Sequence, residues 1–393
     1  VEGIKYFNLG NIPLVNNLCN SREDSLVAER FPLALNYYVK SKLTSLDFAV
    51  DGERMFSHYL YKSSVNGPYI EHCKEMFDFI QQYVDIQDSI KIVDVGGNDG
   101  TLLHTFKSIT DKQLDVLNID ASKNLTELSV QRGVPALNEF FNVGTMLRYR
   151  GTIDVITSTN VFQHLKDIDS FVKAIEISLT DDGIWVLEFP YWLHSMLTNQ
   201  FDQIYHEHMY YHTVTPLDIL MRKNGLRIID VVSRDIHGGS VRLVIAKDQS
   251  KHTTKDSVQQ FITDESKYSI TFYFDWGNKI LDYIKQSKET LLNLKAEGKT
   301  IYGFGAAAKG CVYLNAMGID YNVIDVVIDD TDLKQGKFIP GTGIEVVNRS
   351  ILETAPPDYI LILPHNFKDH IIQSLSQVYK GKFIVLLPEI QII

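Results

Sequence analysis

A three-layer α/β domain, flanked by a small amino-terminal lobe and a Rossmann-like carboxy-terminal lobe, is the architecture this sequence predicts. Three observations predict it. Short apolar runs (KIVDVGG, VLNID, DVITSTNVF, GIWVLEF) alternate with stretches of helical period, the pattern of parallel βαβ units. They end in LRIIDVVSRDIHGGSVRLVIAKD, two β-rich runs around a Gly-Gly turn that read as a closing antiparallel hairpin. A second strand–glycine–helix block, TIYGFGAAAKG, opens a further series, VIDVVIDD, YILILP and FIVLLPEI.

Each element follows from its residues. Residues 1–66 carry turn signals (Gly10-Asn11, Asn16-Asn17, Pro13, Pro32) and a Tyr-rich HYLYKSSVNGP but no long clean period, so they read as a lobe that depends on the rest for its core. From Pro68 to Tyr83, Ile70, Cys73, Met76, Phe77, Ile80 and Tyr83 fall at helical spacing. The runs that follow are continuous enough for strands buried on both faces. Residues 249–298 are polar with helical spacing at Val258, Phe261, Ile262, Ile280, Leu281 and Ile284, which predicts a helical connector. The expected organisation is therefore a lobe over 1–75, the main domain over 76–248, the connector over 249–298 and the last lobe over 299–393.

Composition narrows the function classes. At 393 residues, 45% apolar and 22% charged, the chain can bury two or three cores. No apolar run approaches the ~18 residues of a membrane span. A net charge of −11 argues against nucleic acid or an anionic membrane as the main partner, while leaving room for a local basic pocket. Cys19, Cys73 and Cys311 lie too far apart for a disulfide framework, which suits a reducing, cytoplasmic compartment. VEGIKYF has no basic region followed by an apolar one, so no secretory leader is expected, and the start at Val1 is compatible with a piece of a longer product.

VDVGGNDGTLL sets Asp94 at a strand end and Gly96, Gly97 and Gly100 in the turn before a helix. Glycines there let a backbone approach a ligand. Asp120 stands twenty residues after Gly100, at the end of the next strand, where an acid accepts hydrogen bonds from ribose hydroxyls. The turn lacks the G-x-G-x-x-G form, and Asp94 and Asp99 would repel a pyrophosphate. They favour a cationic cofactor instead, and S-adenosylmethionine, with its sulfonium and ammonium, fits. The plain alternative is a turn that only packs a helix on a strand.

QFDQIYHEHMYYH gathers Tyr205, His206, Glu207, His208, Tyr210, Tyr211 and His212 after the fourth strand of the main domain, on the ligand side of a doubly wound sheet. H-x-H can present two imidazoles to a metal, but no second His/Cys cluster completes such a site. Some of these side chains are expected to be structural, since three histidines cannot all act. Histidine as base with tyrosine donors suits proton abstraction beside a carbonyl, and moving a methyl from sulfonium to carbon needs the resulting enolate. His164, in STNVFQHL, can line the same crevice or serve packing. The second glycine loop, IYGFGAAAKG, sets Lys309 near a helix start, where an anion could dock. Asp329 there tempts toward a dinucleotide and hence an NAD-dependent oxidoreductase, yet the third glycine is missing. A structural lobe that binds no phosphate is the third reading of this loop.

Taken in order, FNLGNIPLVN, VDVGGNDGTLL, TNVFQHL, EFPYW followed by FDQIYHEH, IHGGSVR, YGFGAAAKG and DLKQGKFIPGTGI resemble the three-domain S-adenosylmethionine-dependent C-methyltransferases of nucleotide-linked keto-deoxysugars, over essentially the whole chain. The resemblance implies a class I methyltransferase fold with a seven-stranded sheet. It implies a cofactor site of Asp94, Gly96, Gly97, Asn98, Asp99, Gly100, Asp120 and Asn160. It also implies a catalytic set of Tyr205, Glu207 and His208 (the base), with Tyr61 and His164. His237, Gly238, Gly239 and Lys309, with Lys334 and Lys337 offsetting charge, would border the substrate, a nucleotide-diphosphate sugar, thymidine diphosphate being the expected carrier. A monomer is the expected state. The family's first lobe usually holds zinc with two Cys-x-x-Cys pairs; YYVKSKLTSLDF has no cysteine where the second pair belongs, so no metal site is expected and the lobe should be held by packing. O-methylation of a sugar hydroxyl and a non-catalytic sugar-nucleotide-binding module are the alternatives to C-methylation.

Overall fold

The amino-terminal segment folds as a sheet whose alternation is broken by bulges. In the computed structural model, which describes residues 3–50, 67–236 and 238–393, β1 (Ile4–Pro13) pairs antiparallel with β2 (Arg30–Tyr38), and β3 (Leu43–Leu46) joins β2. Register shifts fall between Lys5 and Phe7 and between Asn8 and Asn11, the second around Gly10 at φ +78°. Each extra residue flips the side-chain alternation, so no period of two survives in the sequence and the stretch reads as irregular.

The main domain follows its apolar runs. β4 (Lys91–Val95), β5 (Asp115–Ile119), β6 (Ala136–Leu137), β7 (Ile153–Thr159) and β8 (Leu179–Pro190) are parallel. The next strand, β9 (Tyr210–Tyr211), leaves this sheet and pairs with β3 of the amino-terminal lobe. β10 (Leu226–Arg234) and β11 (Ser240–Lys247) then form the closing hairpin, with β11 antiparallel to both β10 and β8. The order is β10-β11-β8-β7-β4-β5-β6, the class I methyltransferase arrangement. The strand order reverses between the parallel neighbours β4 and β7, the point at which loops at the carboxyl ends of such a sheet border a crevice.

Helix Gly67–Ile80 crosses the expected boundary at 75/76 and packs Cys73, Met76, Phe77 and Ile80 against Leu102, Phe106 and Val155 of the main domain. It also brings charge. Arg242 and Glu188, cross-strand partners on β11 and β8, are both completely buried. Arg242 Nε lies 2.9 Å from Glu188 Oε2, and His72 Nε2 lies 2.7 Å from Oε1. Glu75 sits 3.0 Å from Arg242. Burial alone would push the Glu188 carboxyl up, but His72 and Arg242 hold it below its ordinary value.

The connector is two helices, Asp256–Glu265 and Ile270–Ala296. Glu265 accepts from the Val214 and Thr215 amides at 2.6 and 2.7 Å, capping the helix that follows β9. Gly277 lets the longer helix lie on β1, since a Cβ there would meet the Tyr6 carbonyl at 2.7 Å. The last lobe comprises β12 (Ile301–Phe304), β13 (Val326–Ile328), β14 (Phe338–Ile339), β15 (Ile344–Val347), β16 (Tyr359–Ile362), β17 (Lys382–Val385) and β18 (Gln391–Ile392). Its order is β14-β15-β13-β12-β16-β17-β18. The sequence shows only four of these seven strands, because β14 and β18 are two residues long and β15 is masked by turns. Among the described residues no helix is long and apolar enough to cross a membrane.

Replacing Arg242 by methionine strands the Glu188 charge in the core. Urea unfolding should show a loss of about 3–5 kcal/mol; a variant of wild-type stability would show that the network holds nothing together.

Candidate active site

The loop after β4 is built for close backbone approach. Gly96, Asn98 and Gly100 have φ of +66°, +54° and +75°. The Gly96 amide donates to Ile119 O at 2.7 Å, tying the loop to β5. Asp120, at the end of β5, accepts from the Asn98 amide at 3.0 Å and the Ser122 amide at 2.8 Å. Asp94 accepts from Thr157 Oγ1 at 2.7 Å through Oδ1, and burial pushes its carboxyl up to about 7. Its Oδ2 is buried without a hydrogen-bond partner, as is Asn118 Oδ1. Both oxygens lie beside Gly97: a Cβ there would stand 2.4 and 2.5 Å from them.

Asp99 is placed differently from the sequence expectation. Its carboxylate is fully buried, accepts from Thr101 Oγ1 at 2.6 Å and pairs with Arg132 at 3.2 Å. Its charge is therefore largely balanced from within the fold, and it shapes the loop instead of adding a bare negative charge to the crevice. Arg132 carried no motif that could have announced this. Asn160, just past β7, sits at φ +57° with its amide on Glu188 O at 2.9 Å.

The segment expected to carry the acid–base residues is fixed at both ends. A 3-10 turn, Phe201–Gln203, leads into Tyr205–His208, and pairing of β9 with β3 anchors the far end. His208 is 6% exposed, with Nδ1 2.9 Å from Gln203 O. A carbonyl only accepts, so Nδ1 carries the proton and Nε2 is left as the basic nitrogen. The Tyr205 ring lies 4.0 Å from the His208 ring, centroid to centroid, and the His164 ring 4.9 Å from it. His164 Nδ1 is 2.7 Å from Glu207 O. Burial lowers the His164 imidazole to about 4 and holds His208 well below its ordinary value, with His164 and Lys309 lowering His208 further. Burial pushes the Glu207 carboxyl up to about 7, although Asn16 Nδ2 donates to it at 2.5 Å.

The other two histidines point elsewhere. His206 Nε2 lies 3.3 Å from the carbonyls of Phe31 and Pro32, inside the amino-terminal lobe. His212 packs between Phe162 and Phe189 at 4.9 and 5.4 Å. So the structure brings together His208, Tyr205, Glu207 and His164, and adds Asn16 and Gln203, which the sequence reading left without a role. Asn16 falls inside FNLGNIPLVN, but a carbonyl such as that of Gln203 has no residue signature at all.

Gly238 and Gly239 pack on the preceding loop, where a Cβ on Gly239 would meet the His194 ring at 2.2 Å and one on Gly238 would meet Gln200 Oε1 at 2.4 Å. Lys309 is half-buried; burial lowers its ammonium and the Asp202 charge opposes that shift. Asp329 and Lys334 are occupied with the second glycine loop: Asp329 accepts from the Ala306 amide at 2.8 Å, and Lys334 Nζ reaches Ala306 O at 2.9 Å. Tyr61 and His237 lie outside the described residues.

Residues 69–231 match the model of a methyltransferase domain, and residues 235–388 that of a C-methyltransferase C-terminal domain. C-methyltransferase NovU of Streptomyces niveus is 29% identical over 98% of this chain and 93% of its own length. The chain is an S-adenosylmethionine-dependent methyltransferase similar to the C-methyltransferases. Solved structures similar to it include magnesium protoporphyrin IX methyltransferase (ChlM) from Synechocystis PCC 6803 with bound SAH, at 13% identity and TM-score 0.36, covering 50% of this chain and 92% of that one. A SAM dependent methyltransferase from Aquifex aeolicus gives 13% identity and TM-score 0.34, covering 44% and 97%.

The methyltransferase uses S-adenosylmethionine, and its loop has the right donor demand. Two buried acceptors without partners, Asp94 Oδ2 and Asn118 Oδ1, call for a donor-rich cation, and an ammonium offers three N–H groups. Asp120 retains lone pairs beyond its two amide bonds for ribose hydroxyls. Among the described residues no group of three or more His, Cys, Asp or Glu is arranged to hold a metal ion.

Gly97→Ala places a methyl on both orphan acceptors, so S-adenosylmethionine affinity by calorimetry should fall on the order of 10- to 100-fold; unchanged affinity would put the cofactor elsewhere. The raised Glu207 carboxyl also makes stability pH-dependent. The native state keeps a proton that the unfolded chain releases, so stability is fullest below pH 4.5 and falls as pH rises toward about 7. Glu207→Gln should remove that fall, with urea midpoints of the two proteins diverging across this window; parallel curves would refute the assignment.

Proposed function

We propose that the enzyme methylates the carbon beside the keto group of a nucleotide-linked deoxysugar, thymidine diphosphate being the expected carrier, with His208 as base. The observation that carries this reading is the fixed tautomer of His208. Nδ1 is held by the Gln203 carbonyl, which leaves Nε2 free to take a proton. S-adenosylmethionine, when bound, supplies an electrophilic methyl on a sulfonium. His208 Nε2 removes the proton α to the keto group, and the electron pair of that C–H bond moves onto the carbonyl oxygen as an enolate. Glu207, with its carboxyl pushed up to about 7, retains a proton near neutrality and can donate toward the oxyanion, and Tyr205 stands at the same imidazole. With the cofactor bound, the enolate carbon would take the methyl as its bond to sulfur breaks, S-adenosylhomocysteine would be the leaving group, the carbonyl would re-form, and the abstracted proton would depart from the imidazole to solvent.

Other residues support the substrate class. In this reading Lys309 would supply a cation at the far wall of the substrate site within a protein of net charge −11, as a diphosphate needs. In this reading Gly238 and Gly239 would border the sugar and Asn160 the cofactor, while the sugar-site roles of His237 and Tyr61 rest on the sequence alone. All three cysteines are free thiols, which suits a cytoplasmic enzyme drawing on a nucleotide-sugar pool.

Incubation of enzyme with a thymidine-diphosphate keto-deoxysugar in heavy water tests the reading. Mass spectrometry should show deuterium entering the α position, and with S-adenosylmethionine a product heavier by a methyl on carbon. Methyl on oxygen without α exchange would overturn C-methylation. His208→Asn should cut turnover on the order of 10²- to 10⁴-fold with S-adenosylmethionine binding retained; an active variant would remove His208 as base.

A further inference from the structure

The turn that carries the base is held from the other side of the molecule. Gln203, whose carbonyl receives His208 Nδ1–H at 2.9 Å, is the last residue of the single turn Phe201–Gln203. The residue before it, Asp202, is a carboxylate at 1% exposure. His365 Nδ1 stands 3.2 Å from Asp202 Oδ2. His365 begins the loop after β16, and Lys309 lies in the first turn of the helix after β12; these are adjacent strands at which the carboxy-terminal sheet reverses direction. Phe201 packs on Tyr313 of that same helix, ring centroids 4.9 Å apart. His365 and Lys309, both from the carboxy-terminal lobe, hold Asp202 below its ordinary value against the upward push of burial.

A buried carboxylate is stable only while its compensating groups stay in place. The turn is three residues long, so whatever fixes Asp202 fixes the carbonyl of its neighbour. We propose that Asp202 and His365 are positioning residues for methyl transfer, their pairing across the seam between the two domains fixing the Gln203 carbonyl and, through it, the tautomer and direction of the His208 imidazole. This inference rests on the reading of His208 as base. It gives the carboxy-terminal lobe a part in the chemistry beyond any contact with substrate: methyl transfer needs that lobe seated on the turn. The loss expected from a displaced base is large, because a shift of about 1 Å in a reacting group costs on the order of 100-fold in rate.

The experiment uses the full chain with S-adenosylmethionine and a thymidine-diphosphate keto-deoxysugar, comparing Asp202→Asn, His365→Gln, their double variant and His208→Asn. Each single seam variant should lower kcat on the order of 10- to 100-fold with the KM for S-adenosylmethionine unchanged. The double variant should be no worse than the worse single one, as for residues that act as a unit. Nitrogen-15 NMR of the histidine rings, which needs no turnover, should show His208 protonated at Nδ1 in the wild type and a mixture of tautomers in His365→Gln. Additive losses, or wild-type kcat and tautomer in both single variants while His208→Asn is inactive, would overturn the proposal and leave the base assignment standing. An active His208→Asn would instead remove the base and this inference with it. Should Asp202→Asn fail to fold, His365→Gln and His365→Asn carry the same kinetic and NMR readouts from the rim of the seam.

Discussion

Desolvation of the imidazole at residue 208 is the constraint around which the rest of the crevice is arranged. In the proposed reading His208 must be neutral to act, and burial favours that form by disfavouring the imidazolium. Its neighbours push the same way. His164 and Lys309 lower it further. The cost of this arrangement is weak basicity. A base so depressed removes a proton from carbon only if the developing oxyanion is stabilised as the proton leaves, so hydrogen-bond donors at the carbonyl are as necessary as the base. In that reading Glu207 is a candidate donor, because burial raises its carboxyl to about 7.

The cofactor half of the crevice reverses that logic. There the fold keeps acceptors buried and short of donors: Asp94 Oδ2 and Asn118 Oδ1 have no partner and flank Gly97. Asp94 answers burial by holding its proton up to about 7, where a cation arriving beside it would draw the proton off and gain a charge partner. Asp99 does not share in this, since Arg132 already balances it. The loop region thus carries one acid that stabilises its own turn, one left with a buried oxygen without a partner and one, Asp120, that fastens two backbone amides.

What the sequence made legible was whatever depends on local pattern. Uninterrupted apolar runs marked β4, β5, β7 and β8, because strands buried on both faces need no polar alternation. The Gly96–Gly100 turn and Asp120 were legible because the spacing of a strand–turn–helix–strand unit is fixed by geometry. Long-range partners left no such trace. Asn16 and Glu207 are 191 residues apart in the chain, and Asp202 meets His365 from another domain. Nothing near Asp99 announced Arg132, so its charge was assigned to the ligand. The amino-terminal sheet was hidden for a different reason: bulges at Lys5/Phe7 and Asn8/Asn11 erase the alternation by which a strand is recognised.

That sheet ties the orientation of the first lobe to the position of the base. Its fourth strand, β9, is the continuation of the segment bearing Tyr205, Glu207 and His208, so Thr44 and Ser45 of β3 hold Tyr211 and Tyr210 in register two residues beyond the imidazole. The other side of the lobe is seated by aromatic packing: Tyr6 meets Tyr273 at 5.3 Å, Phe7 meets Trp276 at 5.0 Å, and Trp192 of the main domain meets Trp276 at 5.3 Å. Gly277 permits that approach by leaving the Tyr6 carbonyl unobstructed. A lobe fixed at both faces in this way has its direction set by contacts with the catalytic domain rather than by anything inside the lobe. Rotating it would mean parting β3 from β9, and with them Asn16 from Glu207. The orientation of the lobe and the geometry of the acid–base pair are therefore a single structural variable.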